Sequence, residues 1–434
     1  MGHGLRRIRV LLRGGNAARV APGRKNGGGH APVPGLRLAG IGGQNVKLVI
    51  FGGGNIGRSF IGQLFANAGF EVVFIDVDRT VVEALNERRS YDVIVKETGE
   101  PDRSIRVKNV RAVHAHDEDA VARELASTTI AATAVGKSAL SHVARTIARS
   151  IAHRESPLDL ILAENDRNAR STVVDAVRQT AGSHALALLG IVETSIGKMV
   201  PIMPADVRNA DPLLVFAEAY NRLIVDRSGF INGVPDVSGI DAVNNIRAYV
   251  DRKLYVHNLG HAAAAYLGNR IAPETRALAD VLRLDEVQST TARAMSEAAD
   301  AICSEYPADL SREALTDHIE DLLRRFANAA LGDTVYRVGR DVPRKIAKSD
   351  RITGAALLCA RHGKPFEAIT GVFHAALAFG ACDDDGNAYA GDEQFRSVAV
   401  PRGAEYVVRE VIGLSASDHI ESTVAKRFLG YARP

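Results

Sequence analysis

A glycine-rich turn between a short apolar strand and a helix constrains this chain more than any other feature. Residues 46–51 form a β-branched run typical of a buried parallel strand. The run leads into residues 52–57, which have the spacing GxGxxG, and a helical pattern follows at 58–68. A second apolar run, at 71–75, ends at Asp76. This order of elements predicts a βαβ unit of a doubly wound parallel sheet.

Each glycine of the turn has its own task in binding a dinucleotide. Gly52 permits the tight turn, Gly54 lets the backbone approach the pyrophosphate, and Gly57 lets the helix pack close to the strand. The start of the helix adds unpaired N–H groups and the positive end of its dipole, which favour phosphate. The residues expected to bind the cofactor here are Phe51, Gly52, Gly54, Asn55, Ile56 and Gly57.

Asp76 lies 19 residues beyond Gly57, where an acid accepts hydrogen bonds from the ribose diol of adenosine. A carboxylate at this position, with Asp78 beside it, repels a 2′-phosphate, so the sequence favours NAD over NADP. A lone glycine pattern is common, whereas the complete series of strand, turn, helix, strand and acid is specific. A glycine turn that holds no ligand is the alternative.

Two later strand patterns end in small or polar residues. The run at 129–136 ends in a small-residue loop, and the run at 158–163 ends at Asn165. Ligands bind beyond the carboxyl ends of parallel strands. We therefore expect Thr133, Val135 and Gly136 to meet the cofactor, although close packing at the strand end explains the same residues.

The 434 residues exceed what one hydrophobic core usually supports, so two domains are expected. We assign residues 46–205 to an NAD-binding, Rossmann-type domain and residues 206–434 to a mostly α-helical substrate domain. Long helical patterns occur in the second part at 240–268, 274–306 and 311–331. An active site is expected between the two domains.

The first 45 residues differ in composition from the rest. They contain eight Lys or Arg, no Asp or Glu and few large apolar side chains, which predicts a disordered, basic, glycine-rich extension. It could be a tail for anionic surfaces, an organellar targeting peptide, or a segment outside the working protein. The remainder carries 46 Lys and Arg against 51 Asp and Glu, which argues against a nucleic-acid partner.

Cysteine content and hydropathy exclude further classes of protein. Three cysteines without a CxxC pair exclude a disulfide framework and a thiolate zinc cluster, and they fit a reducing cytoplasm. No apolar run reaches the roughly 18–20 residues that a membrane-spanning helix needs. We therefore expect a cytoplasmic protein that acts on a small molecule, as a monomer or small homo-oligomer.

One helical pattern carries an unusual set of polar side chains. On a regular α-helix, the angles about the helix axis measured from Lys253 are about 40° to His257, about 80° to His261 and about 140° to Asn258. Such a cluster is costly to bury without a purpose, and a solvated helix face is the alternative. His257 and His261 have a spacing that suits a metal, but the sequence shows no third ligand, so no metal is expected.

The chain resembles the polyol-specific long-chain dehydrogenases, and among them the shorter mannitol-1-phosphate 5-dehydrogenases, from Val46 almost to the C-terminus. The resemblance is carried by GGGNIGRSFIG (52–62), TAVG (133–136), AEN (163–165), DPL (211–213), RKLYVHNLGHAAAAYLG (252–268), RVGRDVPRKI (337–346) and DR (350–351). The Lys-x4-Asn-x2-His pattern within the fifth segment is distinctive of this family, which is metal-independent.

The resemblance implies a role for each matching side chain. Lys253 would act as general base on the substrate hydroxyl, and partial burial would lower the pKa of a lysine towards neutrality. Asn258 and Asn165 would stabilise the developing alkoxide by amide N–H donation. His261 would orient a substrate hydroxyl. The chain departs from the family pattern at Gly197, where many relatives carry Asp, and this puts part of the polar network in doubt.

A basic pair, Arg344 and Lys345, precedes Asp350 and Arg351 and is a candidate for binding a substrate phosphate. Ion pairing on a helix surface explains the same residues.

The leading hypothesis is an NAD-dependent oxidoreductase that interconverts D-mannitol 1-phosphate and D-fructose 6-phosphate. The alternatives are a dehydrogenase of a free polyol or hexuronate, a catalytically silent NAD-binding sensor, and a two-domain dehydrogenase of the β-hydroxyacid type.

Overall fold

The computed structural model describes residues 46–201 and 203–430. The basic extension expected at residues 1–45 lies outside the described residues. In the described part, no helix is long and apolar enough to cross a membrane.

The described strands form one large and one small sheet. In chain order they are Lys47–Phe51 (β1), Glu71–Asp76 (β2), Ser90–Val95 (β3), Arg103–Lys108 (β4), Val110–His114 (β5), Ile130–Thr133 (β6), Leu158–Leu162 (β7), Leu189–Ile196 (β8), Val215–Ala217 (β9), Leu223–Asp226 (β10) and Ile240–Val243 (β11).

The large sheet confirms the expected doubly wound architecture. Its strand order is β11-β10-β8-β7-β6-β1-β2-β5, and the six strands from β8 to β5 are all parallel. In register, Ile50 of β1 lies between Phe74 of β2 and Ala132 of β6. Strand β10 runs antiparallel to β8, and β11 runs parallel to β10. The small sheet has the order β4-β3-β9.

The α-helices of the described residues alternate with the strands in the first half and follow one another in the second. In chain order they are Gln63–Asn67 (α1), Arg79–Arg88 (α2), Glu118–Ala126 (α3), Lys137–Ile151 (α4), Ala169–Ala181 (α5), Ala205–Ala210 (α6), Ile246–Arg252 (α7), Leu259–Ile271 (α8), Leu278–Val281 (α9), Asp285–Glu305 (α10), Arg312–Phe326 (α11), Val335–Gly339 (α12), Val342–Ile346 (α13), Thr353–Arg361 (α14), Glu367–Leu377 (α15), Ala390–Gln394 (α16), Gly403–Tyr406 (α17) and His419–Leu429 (α18).

Short segments of other helix types complete the backbone. The 3₁₀ segments are Ser183–Leu188, Arg227–Gly229, Ala329–Leu331 and Val400–Arg402. The π-helical segments are Gly57–Gly62, Lys253–Asn258, Phe395–Ala399 and Val407–Val411. One π-helical segment begins at the last glycine of the glycine turn, and another covers the start of the polar cluster that the sequence singled out.

Both faces of the large sheet are buried, which explains the near-continuous apolar runs of its strands. Alternate residues of β1 point to opposite faces. Leu48 and Ile50 pack with Phe60 from the segment after the glycine turn. Val49 and Phe51 pack on the other side, in a core that includes buried residues of α3, α4 and α5.

The sheet continues past residue 205, where the domain boundary was expected. Strands β10 and β11 follow that position and pair with β8 and with each other. The helical pattern expected at 240–268 therefore begins later, with α7 at Ile246, because residues 240–243 alternate in a way that also suits a strand. The helices from α8 onward surround a separate core, in which α8 is largely buried and to which α10 contributes one buried face.

Candidate active site

The glycine turn at the carboxyl end of β1 has no room for a side chain at Gly52 or Gly57 and leaves open space at Gly54. Gly52 has φ +97°, and a Cβ there would lie 2.4 Å from the carbonyl oxygen of Ala134. A Cβ on Gly57 would lie 2.0 Å from the carbonyl oxygen of Gly52. Gly54, in contrast, is exposed and faces open space, and the neighbouring Asn55 is exposed as well. This cradle fits a pyrophosphate lying over Gly54.

Asp76 ends β2 beside this cradle. Its Oδ2 accepts a hydrogen bond from the backbone N–H of Gly53 at 2.6 Å, and its Oδ1 accepts one from Asp78 at 2.9 Å. The carboxylate is therefore held in place but remains partly exposed, as a ribose-binding acid must be. The carboxylate of Asp78 accepts instead from the backbone N–H of Thr80, as the N-cap of α2.

The loop after β6 is fixed by hydrogen bonds to Glu164, a residue to which the sequence analysis assigned no role. Glu164, which follows β7 and is buried, accepts hydrogen bonds from the backbone N–H groups of Val135 and Gly136, both at 2.9 Å. Thr133 is fully buried, and its hydroxyl has no hydrogen-bond partner among the described residues. The loop thus lies on the cofactor side of the sheet with its backbone fixed by one carboxylate.

The two halves of the structure meet at Lys253. Its Nζ donates a hydrogen bond to Oδ1 of Asn165 at 2.7 Å, which joins the helical half to the carboxyl end of β7. Burial of the ammonium group lowers the pKa of Lys253 to about 8, and the positive charge of Arg351 adds to the effect. The structure therefore brings together Lys253 and Asn165, two residues that the sequence assigned to the same site from different halves of the chain.

The backbone of the polar cluster is not the regular α-helix assumed from the sequence. Lys253–Asn258 is π-helical, between α7 and α8. In a π-turn the backbone hydrogen bond joins residues five apart, so Lys253 and Asn258 approach the same face, whereas a regular α-helix would separate them by about 140°. The amide of Asn258 is partly exposed and makes no hydrogen bond to the described residues.

The two histidines of the cluster occupy a buried, cation-rich environment. His261 stacks on Phe326, with ring centroids 4.7 Å apart. Its Nε2 lies 3.3 Å from Oδ2 of Asp333 but outside hydrogen-bonding geometry, so it is a buried nitrogen without a partner. Burial, with Arg337 as the next contribution, lowers the pKa of His261 to about 3. Burial also holds the pKa of His257 well below its ordinary value, so both rings are neutral.

A cavity of about 10 Å³ lies behind Lys253, roughly the space of one water molecule. His257, Tyr220 and His318 help to line it. Among residues 46–201 and 203–430, no three His, Cys, Asp or Glu side chains are grouped so that they could hold a metal ion.

The basic pair at 344–345 is split by the structure. Arg344 is half exposed and forms ion pairs with Asp341 and, at 3.5 Å, with Asp350. Lys345 is buried, and its Nζ donates to the carbonyl oxygen of Arg340. Arg351, which follows them, is mostly buried and bonds Asp350 through its Nε at 2.8 Å.

A carboxylate is present next to Gly197, although position 197 itself lacks one. Glu218 is buried and forms a two-point ion pair with Arg325, whose Nε and Nη2 lie 2.7 and 2.6 Å from its oxygens. Nη2 of Arg325 also donates to the carbonyl oxygen of Gly197 at 2.5 Å, and the N–H of Met199 donates to Glu218. The network that seemed incomplete in the sequence is closed by Glu218, 21 positions further along the chain.

Arg167 forms a second link between the two halves. It follows Asn165 and pairs with Asp251 at 2.7 Å, two residues before Lys253. The guanidinium also lies over the ring of Tyr255, 5.6 Å from its centroid. The loop that carries Asn165 is thereby fastened to the π-helical segment that carries Lys253.

Comparison with known proteins agrees with this architecture. A sequence model described as the mannitol dehydrogenase Rossmann domain matches residues 46–239, and one described as the mannitol dehydrogenase C-terminal domain matches residues 245–417. The mannitol-1-phosphate 5-dehydrogenase of Brevibacillus brevis is 32% identical over 387 residues, 87% of this chain and 96% of that protein.

Among solved structures, a ternary complex of Pseudomonas fluorescens mannitol 2-dehydrogenase with NAD and D-mannitol has the same fold. It superposes with a TM-score of 0.64 at 16% identity and covers 89% of this chain and 95% of that chain. The match extends through both the sheet and the helical half.

Proposed function

Because the chain belongs to the mannitol dehydrogenase family, whose members are NAD-dependent oxidoreductases acting on the CH–OH group of polyols, we propose that it interconverts D-mannitol 1-phosphate and D-fructose 6-phosphate. The observation that carries the proposal is the hydrogen bond between Lys253 and Asn165. It places an amine of low basicity beside an amide at the cofactor edge of the sheet. The relative from Brevibacillus brevis supports a phosphorylated substrate.

Lys253 moves the proton. NAD, when bound at the glycine turn, supplies the hydride acceptor, and the protein supplies placement. A lysine with a pKa of about 8 is partly neutral near physiological pH and can accept the proton of the substrate hydroxyl. In the reverse direction, the protonated amine returns that proton to the carbonyl oxygen.

Two amides are available to the oxygen that becomes negatively charged. Asn165 directs its Oδ1 to Lys253, so its NH₂ group remains free to donate. The amide of Asn258 shares the face of Lys253 through the π-turn and has no competing bond among the described residues. Donors that are already oriented stabilise an alkoxide without reorganisation. The unpaired Nε2 of His261 can hydrogen-bond a neighbouring hydroxyl and so orient the polyol.

The test is an NADH absorbance assay with mannitol 1-phosphate, free mannitol and a hexonate, each with NAD and with NADP. The proposal expects turnover of the phosphorylated polyol with NAD. Turnover of free mannitol alone, or of the hexonate alone, contradicts it and assigns the protein to the alternative substrate class.

A Lys253→Ala variant separates an enzyme from a silent NAD sensor. The enzyme interpretation expects turnover to be lost while NADH binding, followed by fluorescence titration, is kept. Wild-type protein that binds NADH but turns over none of the three substrates would favour the sensor.

A further inference from the structure

Resting on the proposed function, we infer that Lys345 and Arg351, and not Arg344, bind the phosphate group of the phosphorylated polyol beside His261. These two cations belong to the turn between α13 and α14, which packs against the π-helical segment Lys253–Asn258. Both belong to the helical half, whereas Asn165 follows β7 of the large sheet.

The turn between α13 and α14 fixes the two side chains relative to each other. The backbone N–H of Ile352 lies 3.4 Å from the carbonyl oxygen of Lys345, and the hydroxyl of Thr353 donates to Ile346 at 2.6 Å. These bonds close a tight turn with Lys345 at one end and Arg351 at the other.

The same turn packs against the π-helical segment. A Cβ on Gly354 would lie 2.7 Å from the ring of Tyr255, so the backbone three residues after Arg351 touches a side chain two residues after Lys253. Arg351 is close enough to lower the pKa values of both Lys253 and His261, and Lys345 is close enough to lower that of His261. Arg351 therefore lies near Lys253 and His261, and Lys345 lies near His261, the residues to which we assign contact with the polyol.

The positive charge of this region is not balanced by the protein. Arg351 shares the carboxylate of Asp350 with Arg344. Lys345 is only 5% exposed and forms no ion pair with a carboxylate of the described residues; its Nζ bonds one carbonyl oxygen. Burial, with Arg351 and Arg344 nearby, lowers the pKa of Lys345 to about 7, and a bound anion would favour the charged form of this buried amine.

The nearest other carboxylates are already occupied. Asp392 accepts from the backbone N–H groups of Asp341 and Val342, and Asp341 bonds Arg344. Arg337, the other cation that acts on His261, is paired with Asp333. Lys345 thus has no direct ion pair with a carboxylate of the described residues, although the charges of Asp341 and Asp392 act on it.

Arg344 does not share this position. Its side chain is 51% exposed, and its guanidinium is shared between Asp341 and Asp350. A forked guanidinium at Arg351 together with an ammonium at Lys345 matches a phosphate, which carries about two negative charges and three acceptor oxygens. A hexonate carboxylate presents the same chemistry with one charge, and the test separates the two ligands.

The experiment measures kcat/KM for mannitol 1-phosphate, free mannitol and a hexonate, with saturating NAD, in wild type, Arg351→Met, Lys345→Met and Arg344→Met. Loss of a charge-assisted contact to phosphate should lower kcat/KM for mannitol 1-phosphate by about tenfold or more in the first two variants, mainly through KM. Free mannitol should lose much less, since it has no group to meet these cations. The comparison is made at a pH well above 8, where Lys253 is neutral in every variant, so that the effect of Arg351 on the pKa of Lys253 does not enter. Arg344→Met should leave both values nearly unchanged.

A second measurement uses inorganic phosphate as the probe. It should inhibit the wild type competitively against mannitol 1-phosphate, and the inhibition constant should rise in the Arg351 and Lys345 variants. If Arg351→Met fails to bind NADH, Arg351→Lys keeps the charge, removes the fork and should raise the KM for mannitol 1-phosphate.

Three results overturn the inference while leaving the proposed function intact. They are equal losses for phosphorylated and free mannitol, unchanged kinetics in Arg351→Met and Lys345→Met, and a loss in Arg344→Met alone. A wild type that turns over free mannitol but not mannitol 1-phosphate overturns the proposed function instead. If the wild type prefers the hexonate and Arg351→Met loses that preference, Lys345 and Arg351 bind the carboxylate of a hexonate instead of a phosphate.

Discussion

Single side chains in this site owe their properties to partners that are distant in sequence. Lys253 becomes a weak base because it is buried among other cations, and it is directed by an amide 88 positions earlier. A lysine in water has a pKa near 10.4 and would be almost wholly protonated at neutral pH. The environment, rather than the residue type, gives Lys253 the low pKa that its proposed role as proton acceptor needs.

The rate of polyol oxidation should rise with pH through a region near 8. Only the neutral form of Lys253 accepts the proton, and burial lowers the pKa of this lysine to about 8. The reverse reaction needs the protonated form and should fall over the same range. Profiles of kcat/KM in both directions, measured with buffers of constant ionic strength, test this. An oxidation rate that is flat between pH 6.5 and 9.5 contradicts it.

Asn165→Asp should move this profile upward. A carboxylate in place of an amide oxygen 2.7 Å from the ammonium stabilises the charged lysine and raises its pKa by about 1–3 units. At pH 8 the oxidation rate should therefore fall and should recover in part at higher pH. Asn168→Asp, an exposed change in the same loop, is the matched control and should leave the profile unshifted.

The sequence alone predicted the residues that a local pattern reveals. The glycines, Asp76, Lys253, Asn258 and His261 stand in motifs whose spacing carries the chemistry. Glu164, Glu218, Arg325 and Arg167 could not be found in that way, because their partners lie between 28 and 128 positions away. An isolated Glu or Arg has no periodicity from which such a partner can be deduced.

At the level of elements, the conformation of the loop after β6 depends on the residue that follows the neighbouring strand β7. The backbone N–H groups of Val135 and Gly136 both bond to Glu164, which belongs to the end of β7. The loop therefore keeps its shape before any cofactor arrives, and binding needs little further ordering.

Glu164→Gln should weaken NADH binding. An amide keeps only one acceptor oxygen and brings an NH₂ group towards a backbone donor, so one of the two 2.9 Å bonds is lost. A bond to a charged group contributes about 1.5–3 kcal/mol, so an increase of about tenfold in the Kd for NADH is expected if half of this reaches the cofactor. Fluorescence titration measures it. Glu155→Gln, on the exposed surface, should leave the Kd unchanged.

Elements with a strong period were predictable, and those fixed by tertiary pairing were not. Ser311 caps α11 where the helical pattern was expected to begin, by accepting from the N–H of Ala314. Residues 240–243 instead join the sheet as β11, because β10 offers them a free edge. The pattern of Ile, Asp, Ala and Val is compatible with either structure, so only the neighbouring strand decides.

On the scale of the whole molecule, buried polar contacts bind the sheet half to the helical half. Arg325 lies on α11 in the helical half. It reaches Glu218 just after β9 and the carbonyl oxygen of Gly197 just after β8. Together with the pairing of Arg167 and Asp251, it fixes how Asn165 and Lys253 face each other.

Glu218→Ala should destabilise the protein strongly. The guanidinium of Arg325 is only 10% exposed and would lose its buried counter-charge, keeping only the partly exposed Asp321 at 3.4 Å. Removal of one partner from a buried pair costs about 3–5 kcal/mol. Urea unfolding followed by circular dichroism should show this loss in the free energy of unfolding.

Asp241→Ala is the matched control for that measurement. It breaks the exposed pair with Arg222 and should cost about 1 kcal/mol or less. Similar losses in the two variants would show that the pair between Glu218 and Arg325 does not hold the halves together.

The π-turn makes the number of residues, rather than their identity, the quantity on which the catalytic geometry depends. Exchanges at residues 254–256 alter packing but leave Lys253 and Asn258 five positions apart. Deletion of one codon there would shorten the spacing to four and return the backbone towards regular α-helical winding. We expect such a deletion to abolish activity although every side chain of the proposed active site is still present. The number of residues between Lys253 and Asn258 is thus a property of the sequence that substitutions leave intact and that insertions or deletions change.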